Sequence, residues 1–325
     1  MVEPHRAEES PTIHSRTSST IPLRGPSFER SVKRPLHPAQ MFARVVPLAA
    51  RKEQGRLADG VIPGPMRVQQ PKLRLERSRI EAYRRVCDYE AQPKLVPLPY
   101  PEIHFTPLMA AAILSDRFPL SPLGLIHTKQ TIAVHAPLRP GDVVDATAEL
   151  SELRRSDRGY EVDFALRLER DGAAIWTGVT TVLSRSPDVR TRRKAPRSRS
   201  AVDAQPRPTA TQELTVPSRT GVAFARVAGD WNPHHLWWFT AKPLGYRRPI
   251  AHGMWTFARA VTVALRGVEA QAALNASAAF KRPLLMPARV RIQASPLGPD
   301  TPETSIAVRD AETGAPHVVG QVRAL

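Results

Sequence analysis

The chain presents the same order of patterns twice, and this repetition limits the folds available to it. An apolar helical pattern precedes strand-like alternation at FTPLMAAAILSDRF, and the same order recurs from GMWTFARAVTVALRG onward. The strand segments also repeat: IAVHAPLRPGDVVDATAE and AAFKRPLLMPARVRIQAS each carry Pro-Leu, a second proline and then alternating apolar positions. A helix followed by an antiparallel meander is typical of α+β domains. The sequence therefore predicts two α+β units related by internal duplication.

Composition indicates where these units begin and end. A chain of 325 residues is long enough for two domains of ordinary size. We predict folded units at residues 66–184 and 208–325. Residues 185–207 are rich in Pro, Arg and Ser, which predicts a linker. Residues 1–65 offer little apolar surface to bury, which predicts a disordered extension.

The net charge of +17 is concentrated outside the predicted folded units. Residues 185–208 hold eight basic and two acidic side chains, and residues 1–60 hold ten basic and six acidic ones. Because the linker has no aromatic residue for base stacking, specific nucleic-acid binding is disfavoured. The sequence has neither an apolar run of about 18 residues nor a secretory signal, so we expect no membrane span and a cytoplasmic location.

One cysteine is present, which excludes an intrachain disulfide and a multi-cysteine zinc site. Cys87 is predicted to be a small apolar residue in a short amphipathic helix. Ser78 and Glu81 have the spacing of a capping box at the start of that helix.

Polar residues are dense in the stretch AGDWNPHHLWWFTAKPLGYRRPIAHGMW, residues 228–255. Asn232 and Pro233 suit the N-cap and first position of a short helix, with His235 in its first turn and Asp230 on the preceding loop. This arrangement brings a carboxylate close to an imidazole. A second helix is predicted to start at Gly253, where the absent side chain and the positive helix end favour an approaching oxyanion.

These residues carry a resemblance to a known family. GDWNPHH followed by GYRRPIAHGM resembles the signature of the MaoC-like or R-specific enoyl-CoA hydratases. The resemblance implies an α+β double hot-dog fold, in which each repeat wraps a curved antiparallel sheet around a long buried helix. It also implies a hydro-lyase that interconverts trans-2-enoyl and (R)-3-hydroxyacyl thioesters of CoA or acyl carrier protein, without a cofactor. Such a reaction needs a proton acceptor, a proton donor and hydrogen-bond donors for an enolate oxygen.

The resemblance also implies roles for individual residues. Asp230 and His235 would act on one water, and Gly253 would supply the oxyanion donor. The first unit lacks an Asp-x4-His pattern at the corresponding place, so one active site per chain is expected. The family commonly has an acidic residue where this sequence has Trp237, which leaves the pocket shape open. Substrate-binding positions are expected at Asn232, Tyr246, His252 and Met254.

Several alternatives remain at this point. A non-catalytic hot-dog subunit could bind acyl thioesters or a partner, and a homodimer is possible. Asp230, His235 and His252 have the residue types of a metal site, but they lack the spacing of a known ligand helix, so no metal is expected. His234 is assigned to packing or surface. The adjacent aromatic residues are assigned to the core or an interface.

Overall fold

The computed structural model describes residues 18–33, 44–45, 47–49, 51–187, 210–268, 273–298 and 300–324. The first half contains two central helices and seven strands: β1 (Ser19–Ile21), β2 (Phe28–Ser31), β3 (Met66–Arg74), α1 (Arg77–Cys87), α2 (Glu102–Ile113), β4 (Leu125–Val134), β5 (Val143–Ser156), β6 (Gly159–Arg170) and β7 (Ala173–Arg185). The second half contains β8 (Ala210–Val216), α3 (Thr220–Ala228), the single-turn α4 (Trp238–Ala241), α5 (Gly253–Ala264), β9 (Leu274–Phe280), β10 (Ala288–Ala294), β11 (Glu303–Asp310) and β12 (Pro316–Ala324).

The strands of the described residues form one sheet whose two parts have the same topology. The first half contributes the order β3-β5-β6-β7-β4, and the second half continues it as β9-β12-β11-β10-β8. In the first part β3 pairs with β5 and β4 pairs with β7. In the second part β8 pairs with β10 and β9 pairs with β12, so the pattern of pairing is the same. The parts join where β4 pairs antiparallel with β9, from Lys129 opposite Ala279 to Val134 opposite Leu274. The repetition seen in the sequence is therefore also present in the strand order.

A long apolar helix packs against the strands of each half. Helix α2 contacts β3 and β5, and α5 contacts β10, β11 and β12. Every residue of α5 from Met254 to Ala264 is buried, as expected of a helix enclosed by a sheet. The apolar helical pattern predicted for this segment is confirmed, because Met254, Phe257 and Val261 are buried, as is Leu265 just after the helix.

Helix α1 joins the two halves through side-chain contacts with the second half. The Trp255 indole donates to the Val86 carbonyl at 2.8 Å, and Arg259 Nη1 donates to the Cys87 carbonyl at 3.0 Å. Arg259 also forms an ion pair with Asp88. Cys87 is fully buried, as the helical pattern predicted. The predicted capping box does not form, because α1 starts at Arg77 after Glu76 and no side chain caps it.

The N-terminal residues differ from the prediction of a disordered extension. Strand β1 pairs with β5, and β2 pairs in parallel with β3. Lys52 is buried and donates to the carbonyls of Ser115, Asp116 and Phe118, at 3.1, 3.2 and 2.7 Å. No sequence pattern indicated this structure, because these contacts use backbone groups and one lysine rather than an apolar run. The prediction for residues 1–65 is thus wrong for residues 18–33 and 51–65.

Other predicted segments fall partly outside the described residues. Residues 188–207 of the predicted linker are among them, as are residues 1–17, 34–43, 46 and 50 of the predicted extension. In the described part of the chain, no helix is both long and apolar enough to cross a membrane.

Candidate active site

The loop after α3 positions the predicted carboxylate. Helix α3 ends at Ala228, and Gly229 follows in the left-handed conformation with φ of 78°. The backbone N–H of Asn232 then donates to Asp230 Oδ1 at 3.2 Å, which fixes the carboxylate at the start of the next turn. Residues Pro233–His235 form a 3-10 turn with Asn232 as its N-cap, so the local prediction is confirmed as one short turn.

His235 is held in one tautomer beside Asp230. Its Nδ1 lies 2.8 Å from the Ile250 carbonyl oxygen, and because a carbonyl only accepts, Nδ1 carries the proton. The unprotonated Nε2 lies 3.9 Å from Asp230 Oδ2. Burial, reinforced by His252, lowers the pKa of His235 to about 3. His235 is therefore a neutral imidazole whose unprotonated Nε2 lies near a partly exposed carboxylate.

His252 completes a stacked pair with His235. The two ring centroids are 3.6 Å apart, with planes at 24°. His252 Nε2 donates to the backbone carbonyl of Asp230 at 3.0 Å and lies 3.8 Å from Asp230 Oδ2. Burial lowers the pKa of His252 to about 3, although its bond to the Asp230 carbonyl opposes the shift. His252 thus holds the loop that carries Asp230 against the start of α5.

His234 belongs to the cluster, contrary to its assignment from the sequence. Its Nε2 lies 3.0 Å from His235 Nε2, and the two rings meet edge to face. Burial lowers the pKa of His234 to about 3, and the neighbouring His235 contributes to the same shift. Since His235 Nε2 is an acceptor, His234 Nε2 is the donor. Side chains of neighbouring residues point in different directions in a regular strand or helix, so the sequence did not predict a contact between His234 and His235. The 3-10 turn brings the two rings together.

Gly253 begins α5 where a side chain would not fit. A Cβ on Gly253 would lie 2.9 Å from two carbon atoms of the Phe280 ring. Phe280 in turn packs edge to face on His127 of the first half, with centroids 4.6 Å apart. The absent side chain therefore allows the end of β9 to close against the helix start. The first N–H groups of a helix have no partner within it, so the start of α5 is a suitable site for an oxyanion.

A second carboxyl group, from the first half, is electrostatically close to Asp230. Glu102 is the first residue of α2 and is only 5% exposed. Burial, reinforced by the negative charge of Asp230, raises the pKa of Glu102 to about 8. Near neutral pH this side chain is therefore mostly a protonated acid. Sequence inspection did not identify Glu102 because it lies 128 positions before Asp230 in a segment of unremarkable composition.

The remaining predicted residues have different surroundings. Met254 is buried in the first turn of α5, whereas Asn232 is exposed. The Tyr246 ring lies 5.6 Å from the His234 ring. The aromatic residues after the motif are not core residues, because Trp237, Trp238 and Phe239 are 46%, 63% and 56% exposed.

The polar cluster also offers donor atoms of the kinds that bind metal ions. One atom each from Asp230, His235 and His252 lies within 4.8 Å of the others. However, His252 Nε2 donates to the Asp230 carbonyl and would have to lose both its proton and that bond to bind a metal, and His235 Nε2 would have to give up its contact with His234. The arrangement is better suited to proton transfer than to metal coordination.

The chain is similar in sequence and in structure to known proteins. Residues 199–313 match the family model described as MaoC like domain. The chain is 26% identical over 289 residues to 3-hydroxyacyl-thioester dehydratase X of Mycobacterium tuberculosis, covering 83% of this chain and 96% of that protein. A crystal structure of HtdX from the same organism superimposes with a TM-score of 0.66 at 26% identity, over 80% of this chain and 100% of that one. A MaoC-like dehydratase from Phytophthora capsici has the same fold, with a TM-score of 0.63 at 16% identity over 79% of this chain and 94% of that chain.

The repeated sheet and its enclosed helices define a double hot-dog protein. Residues 199–313, in its second half, match the MaoC like domain model, and the chain is similar over most of its length to 3-hydroxyacyl-thioester dehydratase X.

Proposed function

We propose that the chain is a hydratase/dehydratase that interconverts trans-2-enoyl and (R)-3-hydroxyacyl thioesters. The observation that carries this proposal is the 3.9 Å gap between Asp230 Oδ2 and the unprotonated Nε2 of His235, next to the start of α5. The relative from Mycobacterium tuberculosis is named a 3-hydroxyacyl-thioester dehydratase, which supports the same class of reaction here.

In the hydration direction, one water molecule binds between Asp230 and His235. Its oxygen attacks C3 of the enoyl thioester as one member of the pair accepts a proton, and the π electrons move onto the thioester oxygen as an enolate. The N-terminus of α5 at Gly253 stabilises that negative charge. Proton delivery to C2 then completes the addition of one water and restores the pair. Dehydration follows the same steps in reverse.

The surrounding histidines prepare the pair for this chemistry. Ile250 fixes the tautomer that leaves His235 Nε2 as the acceptor, and His252 holds the loop that bears Asp230. Without substrate, His234 occupies the acceptor position of His235. A reacting water must displace this contact, so His234 moves aside or shares its proton when substrate binds.

The cytoplasmic location expected from the sequence stays a prediction, as do the R stereochemistry and the choice between CoA and acyl carrier protein.

The decisive experiment is an assay of the full chain with crotonyl-CoA, followed by loss of the absorbance of the conjugated thioester. Turnover with formation of (R)-3-hydroxybutyryl-CoA, identified by chiral separation, is the expected result. Formation of the S product would refute the stereochemistry alone. Tight binding without turnover across C4 to C12 enoyl thioesters of CoA and of acyl carrier protein would instead favour a non-catalytic acyl-thioester-binding subunit.

A further inference from the structure

An arginine of the first half reaches the catalytic loop of the second half. Arg79 Nε, on α1, donates to the Val227 carbonyl in the last turn of α3 at 3.0 Å. A Cβ built on Gly229 would lie 4.0 Å from Arg79 Nη2, so the end of the guanidinium group faces the residue that precedes Asp230. The cation is thus next to the catalytic loop without being part of the sequence motif.

Two deeply buried polar side chains lie near the same guanidinium group. Tyr100 is fully buried and His104 is 4% exposed, and their rings meet edge to face at 5.3 Å. Within the described residues, neither Tyr100 Oη nor His104 Nε2 has a hydrogen-bond partner. A buried polar group without a partner is destabilising, so two such groups side by side suit a polar ligand group.

Arg79 is electrostatically close to both of them. Burial lowers the pKa of His104 to about 3, and the positive charge of Arg79 lowers it further. Burial raises the pKa of Tyr100 to about 12, against the opposing effect of Arg79. Arg79 thus lies near the Tyr100–His104 pair, and its bond to Val227 connects it to the second half.

Arg79 has no acidic partner in the described part of the chain, where none of the ion pairs within 4.0 Å includes it. Burial lowers the pKa of Arg79, so this cation has lost part of its hydration without gaining a carboxylate. Its bond to Val227 stabilises the end of α3 but uses Nε alone. The planar Nη1 and Nη2 edge has the geometry that binds carboxylate and phosphate oxygens in pairs.

We propose that Arg79, Tyr100 and His104 form an oxyanion-binding subsite that the first half contributes to the active site. The proposal rests on the proposed function, because the ligand is an anionic group of the thioester substrate. Two sources share this chemistry: a phosphate of the CoA arm and a carboxylate on the acyl chain. Arg79 provides the charge, while the Tyr100 hydroxyl and the His104 imidazole provide neutral hydrogen bonds.

Kinetics with three thioesters distinguish the two sources. The substrates are crotonyl-CoA, crotonyl-N-acetylcysteamine, which has no phosphate, and the N-acetylcysteamine thioester of trans-glutaconate, which has no phosphate but carries a carboxylate. If phosphate binds, Arg79→Met raises KM for crotonyl-CoA about tenfold or more and leaves both N-acetylcysteamine thioesters unchanged. If carboxylate binds, Arg79→Met lowers kcat/KM for the glutaconyl thioester alone by a similar factor. Arg79→Lys keeps the positive charge, so in either case its loss should be smaller than that of Arg79→Met.

Arg77→Met is the matched control, since Arg77 is an exposed arginine on the same helix. It should leave all three substrates unaffected. Equal loss with all three substrates in Arg79→Met would show that Arg79 only holds α3 in place, and no loss with any of them would also overturn the subsite.

A binding measurement separates failure of the subsite from failure of the proposed function. Butyryl-CoA and glutaryl-N-acetylcysteamine are saturated and do not undergo hydration, so calorimetric titration reports affinity even if the chain turns nothing over. Weaker binding of one of these ligands to Arg79→Met than to Arg77→Met supports the subsite. Equal affinities of both variants for both ligands contradict it.

Discussion

The imidazole rings of His235 and His252 are stacked at 3.6 Å, and the Nε2 atoms of both lie within 4 Å of Asp230 Oδ2. Two protonated rings at this distance would repel each other strongly in a buried environment. Both rings are therefore neutral, consistent with the lowered pKa of each. The pair is asymmetric: His252 donates to the Asp230 carbonyl through Nε2, whereas His235 donates to the Ile250 carbonyl through Nδ1 and has Nε2 as its acceptor.

Replacing either member of the proposed proton-transfer pair should abolish most of the activity. Asp230→Asn and His235→Ala should each lower kcat for crotonyl-CoA by about a hundredfold or more, because each removes a proton-transfer partner. Steady-state rates and circular dichroism spectra of the variants provide the test. A variant with a near-normal rate, in a protein whose parent is active, would exclude that residue from the catalytic pair.

Gly253→Ala should disturb the closure of β9 against α5. The added methyl group would meet the Phe280 ring, and overpacking of this kind costs about 1–3 kcal/mol of unfolding free energy. We expect lower stability in urea denaturation and a lower kcat, with Phe280→Leu restoring much of the stability in the double variant. Gly298→Ala is the control, because nothing lies within 4 Å of a Cβ there. Equal stability of the two single variants would contradict the close-packing argument.

Glu102 should make the stability of the protein fall as pH rises from about 4.5 to 8. Its pKa is raised to about 8 in the folded state from an ordinary value of 4.5, so the folded chain keeps a proton that the unfolded chain loses. Its contribution is fully present below about pH 4.5 and is lost as pH rises toward 8. Glu102→Gln, which stays neutral, should therefore show a smaller decline in unfolding free energy between pH 5 and 8.

The control for this measurement is Glu81→Gln, a change at an exposed position on α1. It should retain the pH slope of the parent. A Glu102→Gln curve parallel to the parent curve would show that Glu102 ionises normally in the folded protein.

Lys52 should stabilise the fold although it lies in the segment expected to be disordered. Lys52→Met removes donors from three carbonyls that follow α2, and we expect a loss of about 2 kcal/mol or more in unfolding free energy. Arg51→Met is a close control, since that side chain is 74% exposed and its ion pair with Asp116 is long at 4.0 Å. Equal denaturation midpoints for the two variants would mean that the N-terminal contacts carry little free energy.

The catalytic half should need the other half to fold. Residues 208–325 alone would expose the edge of β9 and the face of α5 that contacts α1, so we expect an insoluble or inactive fragment. Supplying residues 1–187 as a separate chain should restore activity. A soluble, active and monomeric fragment of residues 208–325 would show that the site is complete without the first half.

Local chemistry explains which features could be predicted from the sequence. Asp230, His235 and Gly253 lie within 24 residues, where a cap, a short turn and a helix start determine the geometry almost unaided. Arg79 and Glu102 come from a distant segment, and only the pairing of β4 with β9 and the docking of α1 bring them to the loop. No local periodicity encodes such contacts. The N-terminal strands were missed for a similar reason, since each pairs with a strand that is remote or separated from it by a long loop.

The join between β4 and β9 relates two units of equal topology by approximate twofold symmetry within one polypeptide. A homodimer of single units would be bound by true symmetry, so any residue change on one side of its axis would occur on the other side as well. Fusion removes this constraint. One unit can keep the Asp230 and His235 chemistry while its counterpart varies the residues that face the substrate, so new substrate preferences can arise without altering the catalytic pair.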